Sequence, residues 1–153
     1  INSGVVRVGN SGSRQKFKYG PVGNSVNLAS RVKGATKYLK SRLIITGDTA
    51  ERLHDSFPTR RLCDVRVFNI SQPVQLVELL TQPESARVFL KSTYEEALKA
   101  FEQSKFHQAA HIISTLLNEY PDDGPSIVLL SRVARSMAEG PDDSHSIWNL
   151  PGK

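Results

Sequence analysis

The stretch Lys16 to Lys33, KFKYGPVGNSVNLASRVK, constrains the chain more than any other. From Arg14 to Tyr19, the residues Gln15, Phe17 and Tyr19 alternate with Arg14, Lys16 and Lys18, the period-two pattern of a half-exposed strand. Gly20-Pro21-Val22-Gly23 predicts a tight turn. Asn24 or Ser25 then caps a helix running to about Leu39, with Val26, Ala29, Val32 and Ala35 as its buried stripe and Arg31, Lys33 and Lys37 projecting elsewhere. Asn27 and Arg31 stand four residues apart on that helix, so they share a face with Cβ atoms about 5–6 Å apart. A guanidinium fork beside an amide suits a phosphorylated ligand, the fork meeting phosphate oxygens and the amide a sugar or a second oxygen.

The remaining elements are shorter. Ile1 to Val8 reads as the end of a strand whose beginning lies upstream, and Gly9 to Ser13 as a glycine-serine turn. Leu43 to Thr46 reads as a buried strand, and Asp48 or Thr49 caps a brief helix ending near His54. Arg60–Asn69 and Val74–Leu80 read as an antiparallel pair joined through Ser71-Gln72-Pro73. After Pro83 the period changes. Tyr94, Ala97, Leu98 and Phe101 mark one amphipathic helix. Phe106, Ala109, Ala110, Ile113, Leu116 and Leu117 mark a second, and Ile127, Leu129, Leu130 and Val133 a third. The polar segment Gly140–Lys153 is expected to lack regular structure, with Trp148 tucked against the body.

Charge divides the chain. Residues 1–80 carry 13 Lys and Arg against 5 Asp and Glu, whereas residues 81–153 carry 7 against 10, which points to two segments with different roles. A basic first half is compatible with nucleic acid. Its aromatic residues Phe17, Tyr19, Tyr38, Phe57 and Phe68, however, fall at expected core positions rather than along a stacking platform, and an anionic nucleotide or an acidic partner face explains the charge as well. The longest apolar runs fall far short of the roughly 20 residues that span a bilayer. With one cysteine, Cys63, no internal disulfide can form, and a buried structural thiol is expected.

Several segments together resemble the class III nucleotide cyclases, the adenylate and guanylate cyclase catalytic domain family. Gly23, Ser25, Val26, Asn27, Ala29, Ser30 and Arg31 match its G-x-[ST]-V-N-x-A-S-R pattern. Ile1-Asn2-Ser3-Gly4 and Gly9-Asn10-Ser11-Gly12-Ser13 resemble its INTG and GNxGS segments, and Val65 to Leu79 is similar to its closing strands. The resemblance covers roughly the first half of the chain. It implies an α+β fold, a ferredoxin-like nucleotide cyclase domain represented by its C-terminal half (residues 1–80). A linker over 81–92, an all-α helical appendage over 93–139 and an irregular tail over 140–153 are expected to follow. Within the appendage, Thr93 to Pro121 resembles a tetratricopeptide-type helical hairpin, with Phe106, Ala109 and Pro121 at matching positions and Ser104 where that repeat usually has Gly. One such repeat cannot bury its own faces, so the segment is expected to pack on the third helix or on the first half, and it could also meet a protein partner.

The resemblance also implies a reaction: closure of a ribose 3′-oxygen onto the α-phosphate of a nucleoside triphosphate, giving cyclic AMP and pyrophosphate from ATP. Asn27 matches the family's ribose-orienting asparagine, and Arg31 the arginine that contacts phosphate in the transition state. Mg2+ or Mn2+ is implied as cofactor. Its two aspartates are expected in a part of the protein preceding this chain, since none of Asp48, Asp55 or Asp64 lies in a matching motif, and no metal ligand is assigned here. Aspartates and the Asn/Arg pair come from opposite subunits in this family, so a homodimer is implied, with a cytoplasmic catalytic part whether or not the parent is membrane-anchored. The strand Arg14–Tyr19 either faces that second subunit or is a solvated, lysine-guarded edge. Two departures bear on activity. The slot that selects the base is Gly20, without a side chain, which leaves the backbone of Gly20, Val22 and Gly23, with Asn27, to bind substrate and leaves ATP or GTP open. The family's phosphate-binding lysine is missing from Val67-Phe68-Asn69-Ile70, so an inactive dimerisation or nucleotide-sensing module is the alternative.

Overall fold

A computed structural model describes residues 1–13, 16–53, 57–67, 70–140 and 146–149. Strands β1 (Arg7–Ser13) and β2 (Lys16–Val22) form an antiparallel ribbon in which Gly9 faces Gly20 and Val8 faces Pro21. This corrects two expectations. Gly9–Ser13 is strand rather than turn, and β2 runs on through Gly20, Pro21 and Val22 instead of turning there. A two-stranded ribbon consists of edges only, and an edge tolerates proline, which has no N–H to give to a ladder. The change of direction falls on Gly23 alone, whose φ of 148° lies in a region that favours glycine.

Helix α1 (Asn24–Tyr38) follows at once, with Gly23 as its N-cap residue and no side-chain cap bond from Asn24 or Ser25. Val32 and Ala35 are buried as the stripe predicts, while Val26 and Ala29 are half-buried nearer the start. Strand β3 (Ile44–Thr46), helix α2 (Gly47–Leu53), and strands β4 (Thr59–Arg66) and β5 (Val74–Leu79) complete the first half. β4 and β5 pair antiparallel from Thr59 opposite Leu79 to Val65 opposite Val74, with a bulge between Arg61 and Cys63. The bulge inserts Leu62, so Leu62 and Cys63 are consecutive and both fully buried. Phe68 and Asn69, part of the expected strand and of the lysine-free stretch, lie outside the described residues, as do His54 and Asp55.

Helix α3 (Glu84–Glu102) begins directly after Pro83, so helix occupies most of the expected 81–92 linker. Helices α4 (Phe106–Glu119) and α5 (Gly124–Glu139) follow. α3 packs on β4, α4 on α3, and α5 on α4. Tyr94, Ala97, Leu98 and Phe101 of α3 and Ala109, Ile113 and Leu116 of α4 are buried, as their spacing predicts. On α5 the inward stripe is Pro125, Ser126, Leu129 and Val133, and Ile127 faces outward. The last described segment corrects the expected irregular tail. Ile147–Asn149 forms strand β6, parallel to β4, and completes a four-stranded sheet ordered β3-β5-β4-β6. Trp148 on β6 is fully buried. Residues of α1, the sheet, α3, α4 and α5 belong to one continuous apolar core. Among the described residues, no helix is long and apolar enough to cross a membrane.

Candidate functional site

The site predicted from sequence lies on the first two turns of α1. The Gly23 carbonyl accepts the backbone N–H groups of Val26 (3.1 Å) and Asn27 (3.2 Å), which starts the helix directly at the end of the ribbon. Asn27 and Arg31 are both exposed, one turn apart on α1. Neither side chain forms a hydrogen bond or ion pair with another described residue, so amide and guanidinium are both uncommitted to the fold. Val22 is exposed, and Gly20 lies in the ribbon where an added Cβ would meet nothing within 4 Å. Packing in the chain therefore does not demand glycine at position 20.

A polar net anchors this end of α1, and sequence reasoning did not find it. The Asn2 side-chain amide donates to the Ser25 carbonyl at 3.0 Å, and the Thr46 hydroxyl donates to Asn2 Oδ1 at 3.0 Å. Ser25 Oγ donates to the Val5 carbonyl, and Thr49 Oγ1 accepts the Ser3 N–H at 2.9 Å. The Thr46 N–H also donates to the Ile1 carbonyl at 3.1 Å. The segment before β1 is thereby pinned between β3, α2 and the first turn of α1. Gly4 fits because a Cβ there would lie 2.2 Å from Ser25 Oγ. A clue was present in the sequence: Asn2, Ser25, Thr46 and Thr49 are small polar residues bordering apolar runs, each able to bond backbone locally.

A second constellation joins the two halves. Arg60 on β4 is 1% exposed. Its Nε donates to Glu78 Oε2 on β5 at 2.7 Å, and its two terminal nitrogens donate to Asp123 at 3.0 and 2.6 Å. Asp123 caps α5 by accepting the Ser126 N–H at 3.1 Å, and Ser41 Oγ donates to Glu78 Oε1 at 2.6 Å. The Arg60 guanidinium also lies 4.8 Å from the Tyr94 ring centroid. Burial alone would lower the Arg60 pKa, but the bond to Asp123 and the charges of Glu78 and Asp123 outweigh it and hold the group firmly cationic. Next to it, Arg61 pairs with Glu102 at 2.6 Å and Asp64 at 2.8 Å, linking β4 to α3. Glu78 within an otherwise mostly apolar strand, and Asp123 before Gly124-Pro125-Ser126, were the available signals.

The Cys63 thiol is fully buried, and burial, followed by the charge of Asp64, pushes its pKa far up. Tyr19 is 74% and Phe57 53% exposed, so two of the five aromatics assigned to the core in the basic half are on the surface. Val8 and Val22 are exposed on the same ribbon as Tyr19. Among the described residues, no group of three His, Cys, Asp or Glu side chains could hold a metal ion.

No family model matches the chain. The terminal-differentiation specific adenylate cyclase of Dictyostelium discoideum is 24% identical over 144 residues. That match covers 90% of this chain, so it extends well into the helical half, and this chain spans 7% of that protein's length. The crystal structure of the adenylyl cyclase CyaB from P. aeruginosa is 29% identical over 54% of this chain and 41% of that one, with a TM-score of 0.45. The distant sequence similarity to an adenylate cyclase supports a cyclase-related domain of mixed α and β structure.

Proposed function

We propose that this chain is part of a nucleotide cyclase that converts ATP to 3′,5′-cyclic AMP and pyrophosphate. It would supply Asn27 and Arg31 to a site completed by a second subunit. The observation that carries the reading is the exposed, uncommitted Asn27 and Arg31 on one face of α1, within the V-N-L-A-S-R motif, directly after a strand and Gly23. In this role Asn27 orients the ribose so that its 3′-oxygen lies in line with the α-phosphate. Arg31 donates to phosphate oxygens as negative charge builds on them in the transition state. The backbone of Gly20, Val22 and Gly23 borders the base. Mg2+ or Mn2+ would lower the charge on the phosphates and activate the attacking oxygen. Its ligands would come from outside this stretch, since the described residues offer no set that fits. The exposed Val8 and Tyr19, which the register places on one face of the ribbon, support a homodimer through that face, and the name of the Dictyostelium relative supports ATP over GTP.

A second reading is a cyclase-related module that binds nucleotide or dimerises without turnover. The glycine at position 20, which reads no base through a side chain, and the buried Val67 in the segment without lysine favour it. Assay of the longer protein containing this chain, with Mg2+ or Mn2+ and either ATP or GTP, separates the two. Cyclic AMP from ATP is expected. A folded dimer that yields no cyclic nucleotide from either substrate would leave the non-catalytic module as the account.

A further inference from the structure

We infer that α5 is a positioning arm for α1, with Asp123 and Gly124 as the residues that set where the C-terminal end of α1 lies. Three contacts converge there. Gly124, the first residue of α5, sits against Lys40 so closely that a Cβ on it would lie 2.3 Å from the Lys40 carbonyl oxygen and 2.5 Å from Lys40 Cβ. From Ser41 a buried polar chain runs through Glu78 and Arg60 to Asp123, with bonds of 2.6 to 3.0 Å. Further along α5, Arg132 donates to the Tyr38 hydroxyl at 3.4 Å and stacks over Trp148 at 4.2 Å.

α1 is thus held at both ends by different parts of the chain. The net of Asn2, Ser25 and Thr46 fixes its first turn, and α5 fixes its last. A helix between two anchors transmits displacement along its axis, and Arg31 lies seven residues from Tyr38, the last residue of α1, about 10 Å at the usual helical rise. A shift of α5 therefore reaches Arg31 through a continuous run of packed backbone and hydrogen bonds. The mechanical part of the inference stands on the contacts alone. Only its consequence for catalysis rests on the cyclase reading.

Amide hydrogen exchange on the whole chain, without nucleotide, tests the mechanical part. Gly124→Ala forces the start of α5 away from Lys40, and exchange over residues 32–38 of α1 should become about tenfold faster or more. Ser41→Ala breaks one link of the polar chain with little risk to folding and should give the same pattern at about threefold to tenfold. Ser114→Ala, whose hydroxyl donates to the Ala110 carbonyl within α4, should leave α1 unchanged. Acceleration confined to α5, with α1 at the wild-type rate in both Gly124→Ala and Ser41→Ala, would overturn the proposal. In the longer protein, Gly124→Ala should lower kcat with KM nearly unchanged. An inactive wild type beside faster α1 exchange would refute the cyclase reading and keep the arm.

Discussion

Replacing Asp123 isolates the strongest link between the sheet and the helices. Asp123→Ala removes two bonds to a fully buried guanidinium and the cap of α5 together. Arg60 keeps Glu78 at 2.7 Å, so the cation is not orphaned. The loss is then that of charged hydrogen bonds, about 1.5–3 kcal/mol, rather than the 3–5 kcal/mol of an uncompensated buried charge. Loss of the cap adds about 0.5–2 kcal/mol, for a total of roughly 2–5 kcal/mol. That is a large fraction of the 5–15 kcal/mol typical of a whole domain. Asp123→Ser keeps a capping oxygen and should lose about 1.5–3 kcal/mol, the ion-pair part alone. Arg60→Met leaves Glu78 and Asp123 facing each other without a cation and should be the most damaging, at about 3–5 kcal/mol. Urea unfolding followed by circular dichroism and by tryptophan fluorescence measures all three. One shared transition with an unchanged slope is expected, because the core is continuous. The reasoning fails if Asp123→Ala lies within about 0.5 kcal/mol of wild type, or if Arg60→Met is the milder change.

Three further outcomes follow from burial. Cys63 and Tyr94 are both buried and both hold their protons above their ordinary values of 9.0 and 10.0, burial being the first cause in each. The unfolded chain releases those protons first. Stability is therefore fully present below about pH 9 and falls as pH rises beyond it, and a melting temperature unchanged up to about pH 10.5 would contradict this. For the same reason Cys63 should react with a thiol reagent only after unfolding, and stoichiometric labelling of the native chain would show the thiol is not buried. Trp148, the chain's single tryptophan, should emit at short wavelength in the native state. Trp148→Ala should cost about 3–5 kcal/mol by urea unfolding, and a change under 1 kcal/mol would mean that β6 does not pair with β4.

Elements with a strong period were legible in the sequence. The stripe of Val32 and Ala35, the antiparallel pairing of β4 with β5, and the inward faces of α3 and α4 all follow from spacing. What was not legible depends on contacts between distant residues. Gly20-Pro21-Val22 has the local chemistry of a turn, yet pairing with Arg7 to Gly9 draws it into a strand. Val88-Phe89-Leu90 shows no helical stripe, so the start of α3 at Glu84 was hidden behind Pro83. A strand as short as β6 carries too few residues to display alternation, and only its partner β4 defines it. The Asn27 and Arg31 pair was visible because a single helix supplies it. Arg60, Glu78 and Asp123 were not seen as one group, since three separate elements bring them together. The exposure of Tyr19 was likewise misread, because an aromatic residue in a strand looks the same in sequence whether the fold or a partner covers it, and Phe57 precedes β4 rather than lying in it.

In the proposed function Asn27 and Arg31 act on a nucleotide in the transition state rather than hold the fold. Steady-state kinetics of cyclic AMP formation by the longer protein, with Arg31→Ala and Asn27→Ala beside wild type, tests it most directly. Both side chains are exposed and uncommitted, so both variants should unfold at the wild-type urea concentration. A kcat about a hundredfold lower for Arg31→Ala with KM little changed is the expected result. Wild-type kcat in Arg31→Ala would contradict the account.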